Sequence, residues 1–288
     1  MERRRAFCAD VSLENAEPLA ATASRVDHWI LLEYRGLWGY DAVAASALPD
    51  AVRVHLDERA AALGRAKVLF VRRPERRRGD THAVFWGTSP ECGARLYRAE
   101  IERWEDLLSL DFEAPGAPVP HPLLLVCTHG KHDRCCARLG RPLYEALHEQ
   151  ADEGWVWQCS HVGGDRFAGN LVCLPEGLYF GRVRPGDAWS VLDEYLAGRI
   201  ELAHYRGRSC YPFGVQAAEL ALRERTGLTG LDDLELVSVE PIRFRARGRV
   251  YEVEVSREPS ALTYLTCDAE TLRRPRRFAA GILREPAA

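Results

Sequence analysis

The 288 residues carry 42 acidic and 39 basic side chains, and the formal net charge of −3 gives no general attraction to nucleic acid. Apolar residues make up 47% of the chain, which is enough for a large core, and the length suggests two domains or one large one. Arginine far outnumbers lysine, so the basic stretch 72–78 is interpreted as a solvated loop rather than a surface for nucleic acid.

The sequence contains no convincing signal for export or for a membrane. No run approaches the ~20 apolar residues of a membrane-spanning helix, and the arginines at 3–5 are not followed by an apolar signal core. We therefore expect a cytoplasmic protein without a membrane partner. In that reducing compartment the nine cysteines are not expected to form structural disulfides, and clustered cysteines suit metal binding or thiol chemistry better.

Residues 1–113 predict one α/β unit without metal ligands. Its apolar periodicity indicates two strands flanking a helix, then two more strands and a closing helix. In chain order these elements cover 29–34, 50–63, 67–71, 83–86, 95–99 and 104–110.

Residues 114–204 predict a second unit of the same kind, after a proline-rich linker at 114–120. Strand 123–126 is followed by a helix with Pro142 in its first turn, and the later elements repeat the order of the first unit. They are strands 155–159, 171–174 and 178–183 and helix 188–196.

The shared order predicts an α/β protein with two thioredoxin-like lobes, which we interpret as an internal duplication. Gly36 to Gly39 stands in the first lobe where the second has Cys127 and the residues after it, so only the second lobe is expected to carry chemistry. The first lobe is expected to be structural or partner-binding. Residues 205–288 predict an accessory α+β segment, with helix 216–223 and a meander of strands 242–245, 250–255 and 262–267.

Thiols and an imidazole follow two neighbouring strands of the second lobe. Cys127 ends the first apolar run and His161 follows the second, so both should reach the same edge of the sheet. Eight residues separate Cys127 from Cys136, which excludes the closely spaced pair of a thioredoxin-type redox site. A long loop between thiolates can instead wrap an iron–sulfur cluster. Cys135 and Cys136 are adjacent, so their side chains diverge and only one of them is expected to ligate.

Glycines follow the histidine directly. Gly163 and Gly164 lack a Cβ, so their backbone N–H groups can approach a ligand closely. Such groups would donate to cluster sulfurs and raise the reduction potential.

Four motifs together resemble the sucrase/ferredoxin-like family over roughly residues 5–200. They are Cys127-x8-Cys136, His161-Val-Gly-Gly, Arg166-Phe-Ala and Pro175-x-Gly-Leu-Tyr-Phe-Gly-Arg. The resemblance implies a thioredoxin-like [2Fe-2S] ferredoxin, an electron carrier with a redox partner protein rather than an enzyme that transforms a substrate. It further implies two cysteine ligands and two histidine ligands, the histidines spaced His-x3-His.

The implied ligands fall on Cys127, Cys136 and His161, but the fourth position is Asp165. A carboxylate is a hard ligand and a poorer partner for such a cluster than imidazole. Cys159 precedes His161 by two residues and would point the same way on a strand, so it is the preferred fourth ligand, with Asp165 as the position-matched alternative. Cys135 and Cys210 are weaker substitutes for the fourth ligand. The residues expected to contact the cofactor without ligating it are Gly163, Gly164 and Arg166.

Other interpretations stay open from the sequence. The same donors suit zinc, a metal-free thiol redox protein or sensor, or a binding module that has lost its site. Asp165 is also suited to orient His161, while His129 and His132 are expected to be solvated or to support the ligands. Four isolated cysteines are expected to pack as small apolar residues, namely Cys8, Cys92, Cys173 and Cys267.

Overall fold

The computed structural model describes residues 6–73 and 79–284, so residues 1–5, 74–78 and 285–288 lie outside it, and with them most of the predicted basic loop. The α-helices are α1 (Cys8–Glu14), α2 (Asp50–Leu63), α3 (Arg134–His148), α4 (Ala188–Leu196) and α5 (Phe213–Thr226). The strands of the large sheet are β1 (His28–Glu33), β2 (Ala66–Arg72), β3 (His82–Thr88), β4 (Arg95–Ile101), β5 (Ala117–Pro118), β6 (Leu123–Cys127), β7 (Val156–Cys159), β8 (Leu171–Leu174), β9 (Leu178–Phe180) and β10 (Tyr205–Arg208). The smaller sheet contains β11 (Glu235–Val239), β12 (Ile242–Ala246), β13 (Arg249–Glu258) and β14 (Arg277–Arg284).

The large sheet contains the same arrangement twice. Its order is β10-β9-β8-β6-β7-β2-β1-β3-β4-β5. In the first half β1 pairs in parallel with β2 and antiparallel with β3, which pairs antiparallel with β4. In the second half β6 makes the same pairings with β7 and β8, and β8 pairs with β9. The predicted α/β class is confirmed, and the internal duplication stays a prediction.

The two halves join at an antiparallel seam between β2 and β7. Among the residues that the structure describes, two pairs form it, Val71 with Cys159 and Arg72 with Gln158. A single apolar core lies under the seam and contains Trp29 from the first half and Trp157 from the second. The predicted boundary near residue 113 stays a prediction, but packing across it is continuous.

The predicted start of the helix after Cys127 is wrong. We expected Pro142 in its first turn, whereas α3 begins at Arg134. The Asp133 carboxylate accepts a hydrogen bond from the Cys135 backbone N–H at 2.7 Å, which satisfies a free donor of the first turn. Cys136 therefore lies in the first turn of a helix rather than in a loop.

The C-terminal meander differs from its prediction at its third strand. The residues at 262–267 form no strand, and the smaller sheet instead gains β11 and β14. The backbone N–H of Cys267 donates to the Asp133 carboxylate at 2.6 Å, so this segment is bound to the start of α3 instead of a neighbouring strand. The predicted helix near 216–223 is present within α5.

Within residues 6–73 and 79–284, no helix combines the length and apolar character needed to cross a bilayer.

Candidate metal centre

Parallel pairing of β6 and β7 places their carboxyl ends side by side. Cys127 and Cys159 are register partners at these ends, and the chain after β7 turns back to bring His161 above them. Cys136 reaches the same place from α3, which packs on both strands. The side chains of these elements thus meet at one edge of the sheet, as expected from the sequence.

Cys127, Cys136 and His161 form a compact set of donors. One ligating atom from each lies within 4.8 Å of the others. The two thiols are buried, at 1% and 0% exposure, whereas the His161 side chain keeps 25% of its surface accessible. The site therefore has a dry sulfur side and an imidazole at its rim.

Asp165 lies between the thiol and the imidazole. The Cys136 thiol donates to Oδ1 of Asp165 at 3.2 Å, and Nδ1 of His161 lies 2.9 Å from the same oxygen. Burial, the largest single effect, lowers the pKa of His161, but its contacts with Asp165 and Cys127 outweigh this and raise it to about 9. The carboxylate thus orients the ring, as carboxylates beside metal-binding histidines do.

The thiols differ in their tendency to ionise. Hydrogen bonds to Cys127 from Cys136, Cys159 and His161 lower its pKa well below the usual value despite burial. The pKa of Cys136 is raised, chiefly by its hydrogen bond to Cys127, and that of Cys159 is raised by burial. One thiolate, at Cys127, is therefore stabilised by its neighbours, as metal or redox chemistry requires.

His132 contributes to the site, although the sequence analysis expected it to be solvated or supporting. Its ring stacks on that of His161 with centroids 3.7 Å apart. Its Nδ1–H donates to the Tyr40 carbonyl at 3.1 Å, and its Nε2 lies 3.8 Å from a carboxylate oxygen of Asp165. His132, His161 and Asp165 form a second set of donors within 4.8 Å, sharing His161 with the first.

The position of His132 depends on the first half of the chain. Besides the Tyr40 carbonyl, the Tyr40 ring stacks on His132 at 4.8 Å, and the Gly39 carbonyl accepts a 2.6 Å hydrogen bond from Nε2–H of His129. A cleft of about 190 Å³ opens beside these histidines. In sequence the only signal was spacing, since His132 precedes Cys136 by four residues in the loop before α3.

The preferred fourth ligand, Cys159, lies beside Cys127 on the neighbouring strand. It is fully buried and hydrogen bonded to the Cys127 thiol, and it belongs to neither of the two donor sets. The weaker substitutes lie elsewhere. Cys135 contacts Cys8 and Cys267, and Cys210 packs at the edge of the C-terminal core.

Gly163 and Gly164 are constrained by neighbours other than the thiols. Both have positive φ, +100° and +83°, where a Cβ is unfavourable. A Cβ would lie 2.4 Å from the Ser24 hydroxyl in the first case and 2.4 Å from the Arg206 guanidinium in the second. Arg166 donates to Glu17 at 2.7 Å.

The four isolated cysteines do not share one environment. Cys173 is buried in the core beneath α3 and α4, as expected. Cys92 is exposed, contrary to the prediction, because it lies in the turn between β3 and β4. Cys8 and Cys267 are buried, but they meet Cys135 and Asp133 in a four-residue group that the sequence analysis missed.

Comparison with known proteins gives a family match. The Suc_Fer-like family model, described as sucrase/ferredoxin-like, matches residues 19–207. Curated relatives include altered inheritance of mitochondria protein 32 from Meyerozyma guilliermondii, 30% identical over 38% of this chain, and its namesake from Eremothecium gossypii, 32% identical over 32%. The chain spans less than half of each, 43% and 34% of their lengths.

Solved structures similar to part of the chain are thioredoxin-like [2Fe-2S] ferredoxins from Aquifex aeolicus. One covers 33% of this chain and 97% of its own at 19% identity and a TM-score of 0.29. The wild-type protein covers 31% and 100% at 18% identity and a TM-score of 0.28.

Proposed function

We propose a function from one premise: the chain belongs to the sucrase/ferredoxin-like family, as its sequence motifs predicted. The proposal is that it is an electron-transfer protein that binds a [2Fe-2S] cluster through cysteine and histidine. The observation that carries it is the pair of overlapping donor sets, one with the thiols of Cys127 and Cys136 and one with the imidazoles of His132 and His161.

The donor chemistry fits a binuclear cluster. Thiolates and imidazoles both ligate iron in [2Fe-2S] centres, and imidazole ligands raise the reduction potential. Such a cluster, when bound, supplies a one-electron couple. Cys127 and Cys136 would hold one iron, and His161 would hold the other.

For the fourth ligand the geometry favours His132 over both residues considered from the sequence. Its Nε2 lone pair faces the site because Nδ1–H is already engaged with the Tyr40 carbonyl. Imidazole is also a softer ligand than the Asp165 carboxylate. Cys159 is the register partner of Cys127 and is hydrogen bonded to its thiol, so its part would be to tune the thiolate rather than to ligate.

The histidine rim is suited to electron exchange with a redox partner protein. Its side chains are partly accessible, 18% for His132 and 25% for His161, while both thiols are buried. Tyr40 of the first half, whose ring stacks on His132, is exposed beside this rim at 63%. We therefore assign the first half two parts, positioning the histidines and forming part of the partner surface.

A metal-free thiol protein is the second candidate, and the lowered pKa of Cys127 favours it. Its burial, at 1% exposure, argues against it, since a reactive thiol must meet its substrate.

Anaerobic purification followed by iron, sulfide and zinc analysis tests the proposal. We expect about two irons and two sulfides per chain, a red-brown colour and a paramagnetic signal after reduction. Cys127→Ser and Cys136→Ser should abolish the colour, whereas Cys173→Ser, a buried cysteine outside the site, should keep it. Failure to bind iron and sulfide even after reconstitution would refute the proposal.

The fourth ligand is tested by three single variants. His132→Ala should lose the cluster or change its spectrum strongly, whereas Cys159→Ser and Asp165→Asn should keep iron bound with a shifted potential. Loss of iron only in Cys159→Ser, or only in Asp165→Asn, would show that Cys159 or Asp165, respectively, is the fourth ligand.

A further inference from the structure

Three cysteines and an aspartate that are far apart in sequence converge in a second buried group. Cys8 comes from α1, Cys135 and Asp133 from the start of α3, and Cys267 from the segment between β13 and β14. Their ligating atoms lie within 4.8 Å of one another, and all four residues are at most 3% exposed. This group is separate from the donor sets around Cys127.

The distances in this group are those of ligands around one small ion. The sulfur of Cys8 lies 3.7 Å from that of Cys135 and 3.6 Å from that of Cys267. Cys135 and Cys267 are 3.3 Å apart. Thiolates bound about 2.3 Å from one tetrahedral zinc ion stand roughly 3.8 Å apart, so only small movements separate the observed arrangement from a coordination shell.

Asp133 supplies the fourth donor of this group. Both of its carboxylate oxygens lie 3.7 Å from the sulfur of Cys8, and Oδ1 lies 3.0 Å from that of Cys267. Each oxygen also accepts a backbone N–H, from Cys135 at 2.7 Å and from Cys267 at 2.6 Å. These hydrogen bonds fix the carboxylate in place and leave further lone pairs for a ligand bond.

Backbone N–H groups point at two of the three sulfurs. The N–H of Ala9 points at the sulfur of Cys135 at 3.5 Å, and that of Cys8 donates to the sulfur of Cys267. Arg138, which forms an ion pair with Asp10, also interacts electrostatically with both Cys135 and Cys267. Three thiolates and a carboxylate leave two negative charges on a Zn²⁺ complex, which these N–H groups and Arg138 offset in part.

A disulfide accounts for the group less well than a metal does. It requires two sulfurs about 2.0 Å apart and would leave the third cysteine unpaired. Here three sulfurs stand at similar separations, and all three thiols are free.

We propose that Cys8, Cys135, Cys267 and Asp133 bind one structural zinc ion. On binding, the three thiols release their protons to solvent and become thiolates. The ion ties the N-terminal helix and the 259–276 segment to the first turn of α3. Because Cys136 lies in that same turn, the zinc site holds in place the helix that presents a thiol to the redox centre.

Metal analysis of the full chain tests the site. Zinc should be present at about one ion per chain, and it should be lost in Cys8→Ser and Cys267→Ser while the matched Cys173→Ser keeps it. A Cys127→Ser/Cys136→Ser double variant should lose iron and retain zinc. Zinc that is retained in this double variant, in a protein that binds no iron and sulfide even after reconstitution, would refute the proposed function and support this inference.

Cobalt gives a readout that does not depend on the variants folding. Wild-type protein produced with Co²⁺ in zinc-depleted medium should show the intense d–d bands of tetrahedral cobalt and a sulfur-to-cobalt charge-transfer band. The inference is overturned if the wild type binds neither added Zn²⁺ nor Co²⁺, if both single variants retain zinc, or if the double variant loses it. An intact mass two hydrogens lighter, located to a Cys135–Cys267 disulfide, would also overturn it.

Discussion

Cys135 and Cys136 are neighbours in the first turn of α3, yet their sulfurs enter two different sites. The Cys135 sulfur lies 3.3 Å from that of Cys267, whereas the Cys136 thiol donates to Asp165 at 3.2 Å. Consecutive helical residues point about 100° apart, so one turn can contribute to two sites on different sides of the helix. The two cysteine side chains diverge as expected, and Cys135 belongs to the proposed zinc site.

Gly140 sets the distance between α3 and β6. A Cβ there would lie 2.0 Å from the carbonyl oxygen of Cys127, so Gly140→Ala must push the helix away from the strand. We expect a loss of about 2–3 kcal/mol in the free energy of unfolding, because the clash is with backbone. Denaturant unfolding and iron content measure the change, and bound iron should also fall as Cys136 moves from Cys127.

The control for this variant is Gly186→Ala, since a Cβ at 186 meets nothing within 4 Å. Equal stability of the two variants would contradict the role given to Gly140.

Arg206 is expected to hold the loop that carries His161. It is buried, and its guanidinium donates to the Thr22 hydroxyl at 3.0 Å, to the Gly163 carbonyl at 3.1 Å and to Asn170 at 2.8 Å. Lysine cannot reproduce this fork, so Arg206→Lys should cost about 3 kcal/mol in thermal or denaturant unfolding. The exposed Arg199→Lys should change stability by less than about 0.5 kcal/mol; a similar small change for Arg206→Lys would disprove the assignment.

Glu219 balances two buried guanidiniums. It lies 3.1 Å from Arg223 and 3.4 Å from Arg208, and it accepts a 2.9 Å hydrogen bond from the Tyr205 hydroxyl. Glu219→Gln leaves positive charge uncompensated in the interior and should lower the free energy of unfolding by about 3–5 kcal/mol. Glu194→Gln is the matched control, because Glu194 is partly exposed and pairs with Arg199 at the surface. Chemical denaturation of both variants at one pH compares the buried network with this surface pair.

His204 and Glu201 give stability a pH window. The Glu201 carboxylate raises the pKa of His204 above 6.5, and hydrogen bonds from His204 lower that of Glu201 below 4.5 although burial opposes this. The pair contributes fully between these two values. Its contribution is lost as pH rises through the folded-state pKa of His204, or falls through that of Glu201.

Stability of wild-type protein and His204→Gln should therefore differ most near pH 5.5, by about 1 kcal/mol, and converge as pH rises through the folded-state pKa of His204. Urea unfolding across this range checks the window. A difference that does not change with pH would show that the pair contributes by packing alone.

The sequence anticipated features set by local pattern and missed those set by distant contacts. Apolar runs in the sequence predict most of the strands. Because two of these strands end at the same edge of the sheet, the sequence also predicts that Cys127 and His161 lie close together. The position of His132 depends on a carbonyl at Tyr40, 92 residues away. The meeting of Cys8 with Cys267 spans 259 residues, and neither has a local motif. The predicted start of α3 is wrong because it relies on Pro142 as a residue of the first turn, whereas the capping residue Asp133 marks the observed start.

The seam between the two halves bears on attempts to divide the chain. Val71 and Arg72 pair with β7 on that side. A fragment beginning near residue 114 would leave β7 as an open edge with Trp157 and Cys159 at its surface, and such an edge recruits strands from other molecules. The second half produced alone should consequently self-associate, so it is not a substitute for the whole chain.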